Sequence, residues 1–252
     1  MYIITIEMSK EYSIPPGFKD TARNPFRIDV VGNIGCGKST LISCLKKCFE
    51  SKFVDFIPEP VNEWINISGE NLLEEYYKDP VKYFFPFQIY STLTKDRLIK
   101  KSAGHIQFIE RSWISNQKCF MEMGEKMGCV SSLEKNILNE FYEHYQSSKD
   151  IDLILYLKTS TDTAWGRCKK RGRESESELK YSYLKDLQDI HDTSFIESEN
   201  TIVVDANIDF ENDEIKLNNI INQIFENVPY LKYFHIHHKI NKFEYNNSVQ
   251  NI

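Results

Sequence analysis

The sequence predicts an α/β fold, a five-stranded parallel sheet flanked by helices, and three observations carry that reading. Five short runs rich in β-branched and aromatic residues, at 26–31, 53–57, 106–109, 153–157 and 201–204, are separated by longer stretches of helical character. Strands that alternate with helices close into a parallel sheet. The nine residues Gly32-Asn33-Ile34-Gly35-Cys36-Gly37-Lys38-Ser39-Thr40 fit G-x-x-x-x-G-K-[ST], directly after the first run and before a helix expected over 38–49. A basic string, Arg167-Cys168-Lys169-Lys170-Arg171-Gly172-Arg173, follows the fourth run. Together these predict a P-loop NTPase fold with an arginine-rich lid.

Each element has a physical reason. The first strand delivers the chain to a loop whose glycines let backbone N–H groups turn around phosphate oxygens, and the following helix N-terminus adds positive potential. Lys38 is placed to reach the β- and γ-phosphates, and Ser39 to ligate Mg²⁺. After the second strand comes Pro58-Glu59-Pro60-Val61-Asn62-Glu63-Trp64, then about fifty residues before the third, room for two or three helices, one containing residues 84–90. Glu110-Arg111-Ser112 follows the third strand. In open parallel sheets the site forms at the carboxyl ends of the strands. Glu59 and Glu110 therefore come beside the phosphate loop, one to accept a hydroxyl proton and the other to help hold Mg²⁺. Arg167 and Arg171 stand four apart on one helical face, and Gly172 breaks that helix before Arg173, as suits a lid that closes cations over a transferring phosphate.

Composition narrows the field. With 252 residues the chain has room for one large α/β domain, expected over 25–228 between an N-terminal extension (1–24) and a C-terminal tail (229–252). A net charge of −6 argues against a polynucleotide partner. No apolar run approaches the ~18 residues of a membrane span, and the N-terminus lacks the order of a signal peptide. Glu7, Glu11 and Asp20 make residues 1–24 a poor mitochondrial leader, so the expected location is cytoplasmic. The six cysteines form no C-x-x-C pair and are expected as reduced thiols, with Cys44 and Cys48 facing the core rather than a metal. His235, His237 and His238 stand among aromatic residues and read as a packing tail before a metal site.

In one order, Gly32-Asn33-Ile34-Gly35-x-Gly37-Lys38-Ser39, Glu59-Pro60-Val61-x-x-Trp64, Asn71-Leu72-Leu73, Tyr77-Lys78-Asp79-Pro80, Pro86-Phe87-Gln88, Glu110-Arg111-Ser112, Arg171-Gly172-Arg173 and Tyr183-Leu184 resemble the deoxyribonucleoside kinases over residues 27–209. The resemblance implies transfer of the γ-phosphate of ATP to the 5′-hydroxyl of a deoxynucleoside, with Mg²⁺ and in a homodimer. It implies that Glu59, Glu110 and Arg111 are catalytic: Glu59 is the general base, a role otherwise assigned to Glu110, Arg111 positions the hydroxyl and that base, and Glu110 lies on the Mg²⁺ side with Ser39. Tyr77 and Glu176 match the pair that holds the 3′-hydroxyl, Gln88 the glutamine on the nucleobase edge, and Trp64 and Phe120 the aromatic residues flanking the base. Arg167, Arg171 and Arg173 join residues 32–40 in holding ATP.

Departures from the family pattern fall on the base pocket and the lid. Ser91, Lys95 and Asn116 make the pocket more polar than in the insect-type enzyme, and Lys95 and Asn116 stand where the deoxycytidine and deoxyguanosine kinases carry an arginine and an aspartate. Lys95 is left with two readings, a donor to a purine or a cytosine carbonyl, or a solvent-facing side chain, and the overall likeness implies pyrimidine deoxynucleosides or a broad base specificity. Gln117, Thr161-Asp162 and Lys169 also depart from the pattern, none removing a group the chemistry requires. The competing functions are a nucleoside monophosphate kinase, which needs further cations for the acceptor phosphate, and a catalytically silent binding subunit, against which the intact Lys38, Glu59, Glu110 and Arg111 argue. A switch GTPase is disfavoured because N-K-x-D does not follow a late strand.

Overall fold

In the computed structural model, which describes residues 25–49, 53–146, 151–210, 212–229 and 231, the elements follow the predicted alternation. The chain runs β1 (Phe26–Gly32), α1 (Lys38–Lys46), β2 (Val54–Ile57), α2 (Val61–Trp64), α3 (Leu72–Lys78), α4 (Pro80–Lys101), β3 (Ile106–Glu110), α5 (Trp113–Ser115), a π-helical turn (Asn116–Phe120), α6 (Met121–Lys126) and α7 (Ser132–Gln146). It continues through β4 (Leu153–Lys158), α8 (Thr161–Arg171), a 3₁₀ turn (Glu174–Glu176), α9 (Tyr181–Phe195), β5 (Thr201–Asp205) and α10 (Glu214–Asn227). The histidines of the tail lie outside the described residues.

All five strands are parallel, in the order β2-β3-β1-β4-β5. The connection leaving β1 crosses to β2 on one side, whereas the one leaving β3 crosses to β4 on the other. The crevice where the direction of winding changes opens at the carboxyl ends of β1 and β3. Register sets what meets there: Val30 pairs with Glu110, and the next residue, Arg111, donates its backbone N–H to Val30 O.

β1 is buried from Arg27 onward, as a central strand with helices on both faces must be. Its side chains alternate between two cores. Ile28 and Val30 pack with Leu41, Leu45, Phe108 and Ile224 of α1, β3 and α10. Val31 faces the opposite side, where Tyr156 meets Leu184, Leu187 and Phe195 of α9. A third cluster, with Trp64, Tyr76, Phe84, Phe87, Leu138 and Tyr142, joins α3, α4 and α7 beside the crevice.

Helix ends follow local chemistry. α1 stops at Lys46, short of the expected 49, because the N–H groups of Lys47 and Cys48 bond three residues back, to Cys44 O and Leu45 O, and tighten the last turn. Cys44 and Cys48 donate to the Phe210 and Cys44 carbonyls. α4 begins at Pro80 with Asp79 accepting from Lys82 N, a first-turn proline behind a capping carboxylate. α8 is capped by Ser160 and ends at Gly172 in the left-handed region (φ 60°), which turns the chain so that Arg173 leaves the helix line. Among the described residues no helix is long and apolar enough to cross a membrane.

Candidate active site

The loop between β1 and α1 is held from behind. Asn33 donates to Leu184 O at 2.8 Å and to Gln188 Oε1 at 3.3 Å, while its own oxygen accepts Ile34 N at 2.8 Å. Arg167 donates to Cys36 O (3.1 Å), Ala206 O (2.7 Å) and Ile208 O (2.8 Å), and so ties α8 to the loop and to the segment after β5. Lys38 Nζ lies under the loop, 2.8 Å from Asn33 O and 3.1 Å from Gly32 O. Burial pushes its pKa down, and the nearby Arg111 adds to that.

Both strand-end carboxylates converge on this loop. Ser39 Oγ donates to Glu110 Oε1 at 2.5 Å, and the other Glu110 oxygen accepts Glu59 N at 3.4 Å. Glu59 Oε1 accepts Arg111 Nη1 at 2.9 Å, and Arg111 Nη2 reaches Gly32 O at 3.1 Å. Lys95 Nζ stands 3.9 Å from the same Glu59 oxygen. Burial pushes the Glu59 carboxyl up, but Arg111, Lys95 and Lys38 outweigh it and hold the group below the usual carboxylate value. The Arg111 guanidinium also lies over the Phe120 ring, 5.1 Å from its centre.

These groups line one end of a cleft of about 660 Å³. Its other end is walled by Trp64, Phe120, Gln88, Ser91, Lys95 and Asn116. Trp64 is fixed by its N–H to Thr94 Oγ1 at 2.8 Å and an edge contact with Phe87. Gln88 Oε1 accepts Tyr142 Oη at 3.2 Å. Lys95 is buried and donates to Asn116 Oδ1 at 3.1 Å, which settles its two readings against solvent. Tyr77 and Glu176 line the cleft, and Glu176 is gripped by Arg171 at 2.5 Å and Arg173 at 2.8 Å. An ion pair across Gly172 thus fastens the lid turn.

The structure brings the predicted residues together with few exceptions. Gly32, Asn33 and Cys36 are buried behind the loop and do not line the cleft. Lys169 turns away to lie over Trp165, whereas Lys170 faces in. Sequence reasoning missed Tyr76, Phe87 and the segment Ile208-Asp209-Phe210. Phe87 belongs to the Pro86-Phe87-Gln88 motif, which could have marked it, but nothing in the periodicity around Phe210 marks that ring as a wall of the loop. It comes within 3.2 Å of where a Cβ on Gly37 would be.

The profile of the family described as Deoxynucleoside kinase matches residues 28–229. Deoxycytidine kinase 2 of Gallus gallus is 32% identical over 236 residues, spanning 79% of this chain and 88% of that protein. Deoxycytidine kinase 1 of Xenopus laevis is 28% identical, spanning 79% and 89%. The mitochondrial thymidine kinase 2 of Homo sapiens is 31% identical, spanning 71% and 67%. With a phosphate loop, two strand-end carboxylates and an aromatic-walled pocket in one cleft, and with this match over most of its length, the chain belongs to the deoxynucleoside kinase family and is an ATP-dependent phosphotransferase.

Proposed function

We propose that the protein transfers the γ-phosphate of ATP to the 5′-hydroxyl of a 2′-deoxynucleoside, with Glu59 as general base. The observation that carries this reading is the position of Glu59, held at 2.9 Å by Arg111 and next to the Ser39–Glu110 pair at the mouth of the phosphate loop. A carboxylate kept ionised by Arg111, Lys95 and Lys38 accepts a hydroxyl proton as the oxygen attacks. Arg111 orients that carboxylate and offers its guanidinium to the hydroxyl oxygen. Trp64 and Phe120 sandwich the base, Gln88 reads its edge, and Tyr77 with Glu176 takes the 3′-hydroxyl. Lys38, Arg171 and Arg173 neutralise phosphate oxygens as the lid closes.

The Ser39 hydroxyl and the Glu110 carboxylate are hard oxygen donors 2.5 Å apart, and such donors fit Mg²⁺. Mg²⁺ held by Ser39 and Glu110 would offset the charge on the phosphate oxygens. Val81 on α4 and Leu133 and Ile137 on α7 are exposed apolar side chains, which supports a homodimer.

The test is a steady-state assay with ATP, Mg²⁺ and each of thymidine, deoxycytidine, deoxyadenosine and deoxyguanosine, beside Glu59→Gln. Phosphorylation of at least one, reduced about 10²–10⁴-fold in the variant, is the expected result. A folded, ATP-binding protein that turns over none of them refutes it.

A further inference from the structure

The base pocket has a hydrogen-bonding polarity that the phosphoryl-transfer reading does not use. Gln88, Ser91 and Lys95 follow at spacings of three and four, so α4 turns all three to one side, where Asn116 of the π-helical turn meets them. Asn116 Nδ2 spends both hydrogens, on Ser91 Oγ and Thr92 Oγ1, each at 3.0 Å. Its oxygen faces Lys95 Nζ at 3.1 Å. Chemistry fixes this orientation, since an ammonium donates and accepts nothing. Ser91 Oγ in turn donates to Gln88 O at 3.2 Å, and Gln88 Oε1 already takes the Tyr142 hydroxyl.

What the wall offers a ligand is therefore unbalanced. Lys95 carries three hydrogens and gives one to Asn116. Gln88 Nε2 has no partner among the described residues. The acceptors, Asn116 Oδ1 and Gln88 Oε1, each serve a donor of the protein already. Of the carboxylates near Lys95, Glu59 is bound by Arg111 and Asp29 is taken by Ser112. Lys95 keeps its charge at neutral pH, although burial pushes it down to about 8. A donor-rich, desolvated wall suits a base carbonyl. An exocyclic amino group there meets only acceptors that already take one donor and leaves the free Lys95 N–H groups unpaired, at a cost worth about ten- to a hundredfold in discrimination.

We propose that this pocket selects nucleobases bearing a carbonyl oxygen where cytosine and adenine bear an amino group, so that thymidine, deoxyuridine and 6-oxopurine deoxynucleosides are preferred to deoxycytidine and deoxyadenosine. The inference rests on the proposed kinase reading but fails separately from it. The relatives named above include both deoxycytidine and thymidine kinases, so their names do not decide it.

The experiment compares kcat/KM for thymidine, deoxyuridine, deoxyinosine, deoxyguanosine, deoxycytidine and deoxyadenosine, with calorimetric titration of the same nucleosides into the wild-type protein. The expected result is at least about a tenfold advantage for the best oxo-base substrate over both amino-base substrates, in turnover and in binding. Deoxycytidine or deoxyadenosine equal to or better than all oxo-base nucleosides overturns the proposal while the kinase stands. Absence of any turnover refutes the kinase, and the binding order then decides the pocket. Asn116→Asp supplies an acceptor beside Lys95, and it is expected to raise the deoxycytidine-to-thymidine ratio about tenfold. An unmoved ratio in a variant with a wild-type melting curve overturns the assignment to this pair. If that variant does not fold, Lys95→Met is read by the same ratio, expected to approach one, and an unchanged ratio there overturns it.

Discussion

Asp29, buried in the central strand, holds Ser112 by two hydrogen bonds, one from its backbone N–H at 2.9 Å and one from its hydroxyl. Ser112 follows Arg111, whose backbone lies in the left-handed region (φ 55°), a conformation that costs a residue with a Cβ about 1–2 kcal/mol. Arg111 N also bonds Val30 O. Two successive residues of β1, Asp29 and Val30, thus clamp the turn that aims the Arg111 guanidinium at Glu59. Asp29→Ala is expected to lower kcat about 10²-fold through misplacement of that guanidinium, with KM for ATP nearly unchanged. Asp29→Asn keeps one acceptor and is expected to lose less. A kcat that is the same in wild type and Asp29→Ala, measured at saturating substrates, refutes the clamp.

The same carboxylate has a pH signature in stability. Burial pushes Asp29 up to about 6 from 3.8, against the opposing effects of the Ser112 hydrogen bonds, Lys95 and Arg111. Between these values the folded protein keeps a proton that the unfolded chain has released. Its contribution to stability therefore falls as pH rises through that window, by about 3 kcal/mol in all. Relative to Asp29→Asn, the wild type should gain stability as pH is lowered from 6 toward 4. Urea unfolding of both proteins at several pH values reads the difference directly.

Mg²⁺ dependence separates Ser39 from the rest of the loop. Its hydroxyl donates to Glu110 at 2.5 Å, the carboxylate proposed to help hold Mg²⁺. Ser39→Ala should leave ATP affinity without metal nearly unchanged and raise the Mg²⁺ concentration for half-maximal rate about tenfold or more. Removal of the metal with EDTA should abolish turnover in both proteins. Equal Mg²⁺ dependence in the two would show that the hydroxyl is not a ligand.

Much of this was legible in the sequence because the signals are local. Strand runs, the glycine loop and carboxylates at strand ends each sit within a few residues, and the five strands appear where the apolar runs are. What escaped depends on distant contacts. Asp29 reads as an odd charge in an apolar strand until Ser112, 83 residues away, is seen on it. Arg167 reads as a phosphate-facing cation, yet three backbone carbonyls from two segments hold its guanidinium. The choice between a solvent-facing and a buried Lys95 could not be made from spacing, since it is decided by Asn116 on another element.

Two glycines make opposite predictions. Gly35 has φ 78°, and a Cβ there would come within 2.4 Å of Ala164 O and 2.7 Å of Cys168 Sγ. Gly35→Ala must move the loop against α8 and should abolish ATP binding, as read by calorimetry. Gly166, exposed within α8, has open space where a methyl group would stand, with nothing within 4 Å. Gly166→Ala should stabilise the protein by roughly 0.5–1 kcal/mol through lower entropy of the unfolded chain, with activity retained. The pair tests whether the loop's glycines are required by contact or merely by helix propensity.

His191 gives the acid limit of stability. The ring is fully buried among Phe120, Tyr156 and Phe195, with Nδ1 2.7 Å from Leu187 O and Nε2 without a hydrogen-bond partner among the described residues. Because Nδ1 carries the proton for Leu187, Nε2 is a lone pair in apolar surroundings. Burial pushes the pKa down to about 3, with Arg111 and Lys38 adding to it and the Leu187 bond opposing. The unfolded chain takes up a proton below about 6.5 that the folded protein refuses, so stability is lost as pH falls from there toward 3, by up to roughly 5 kcal/mol. His191→Leu removes both the refused proton and the orphaned lone pair. It should be about 1–2 kcal/mol more stable than the wild type at pH 7, and its advantage should widen steadily on acidification. Since Phe120 packs on this ring, the variant also tests the base pocket from behind: a constant stability difference between pH 7 and 4.5 would mean that the imidazole is not held neutral, and that the wall behind Phe120 admits water.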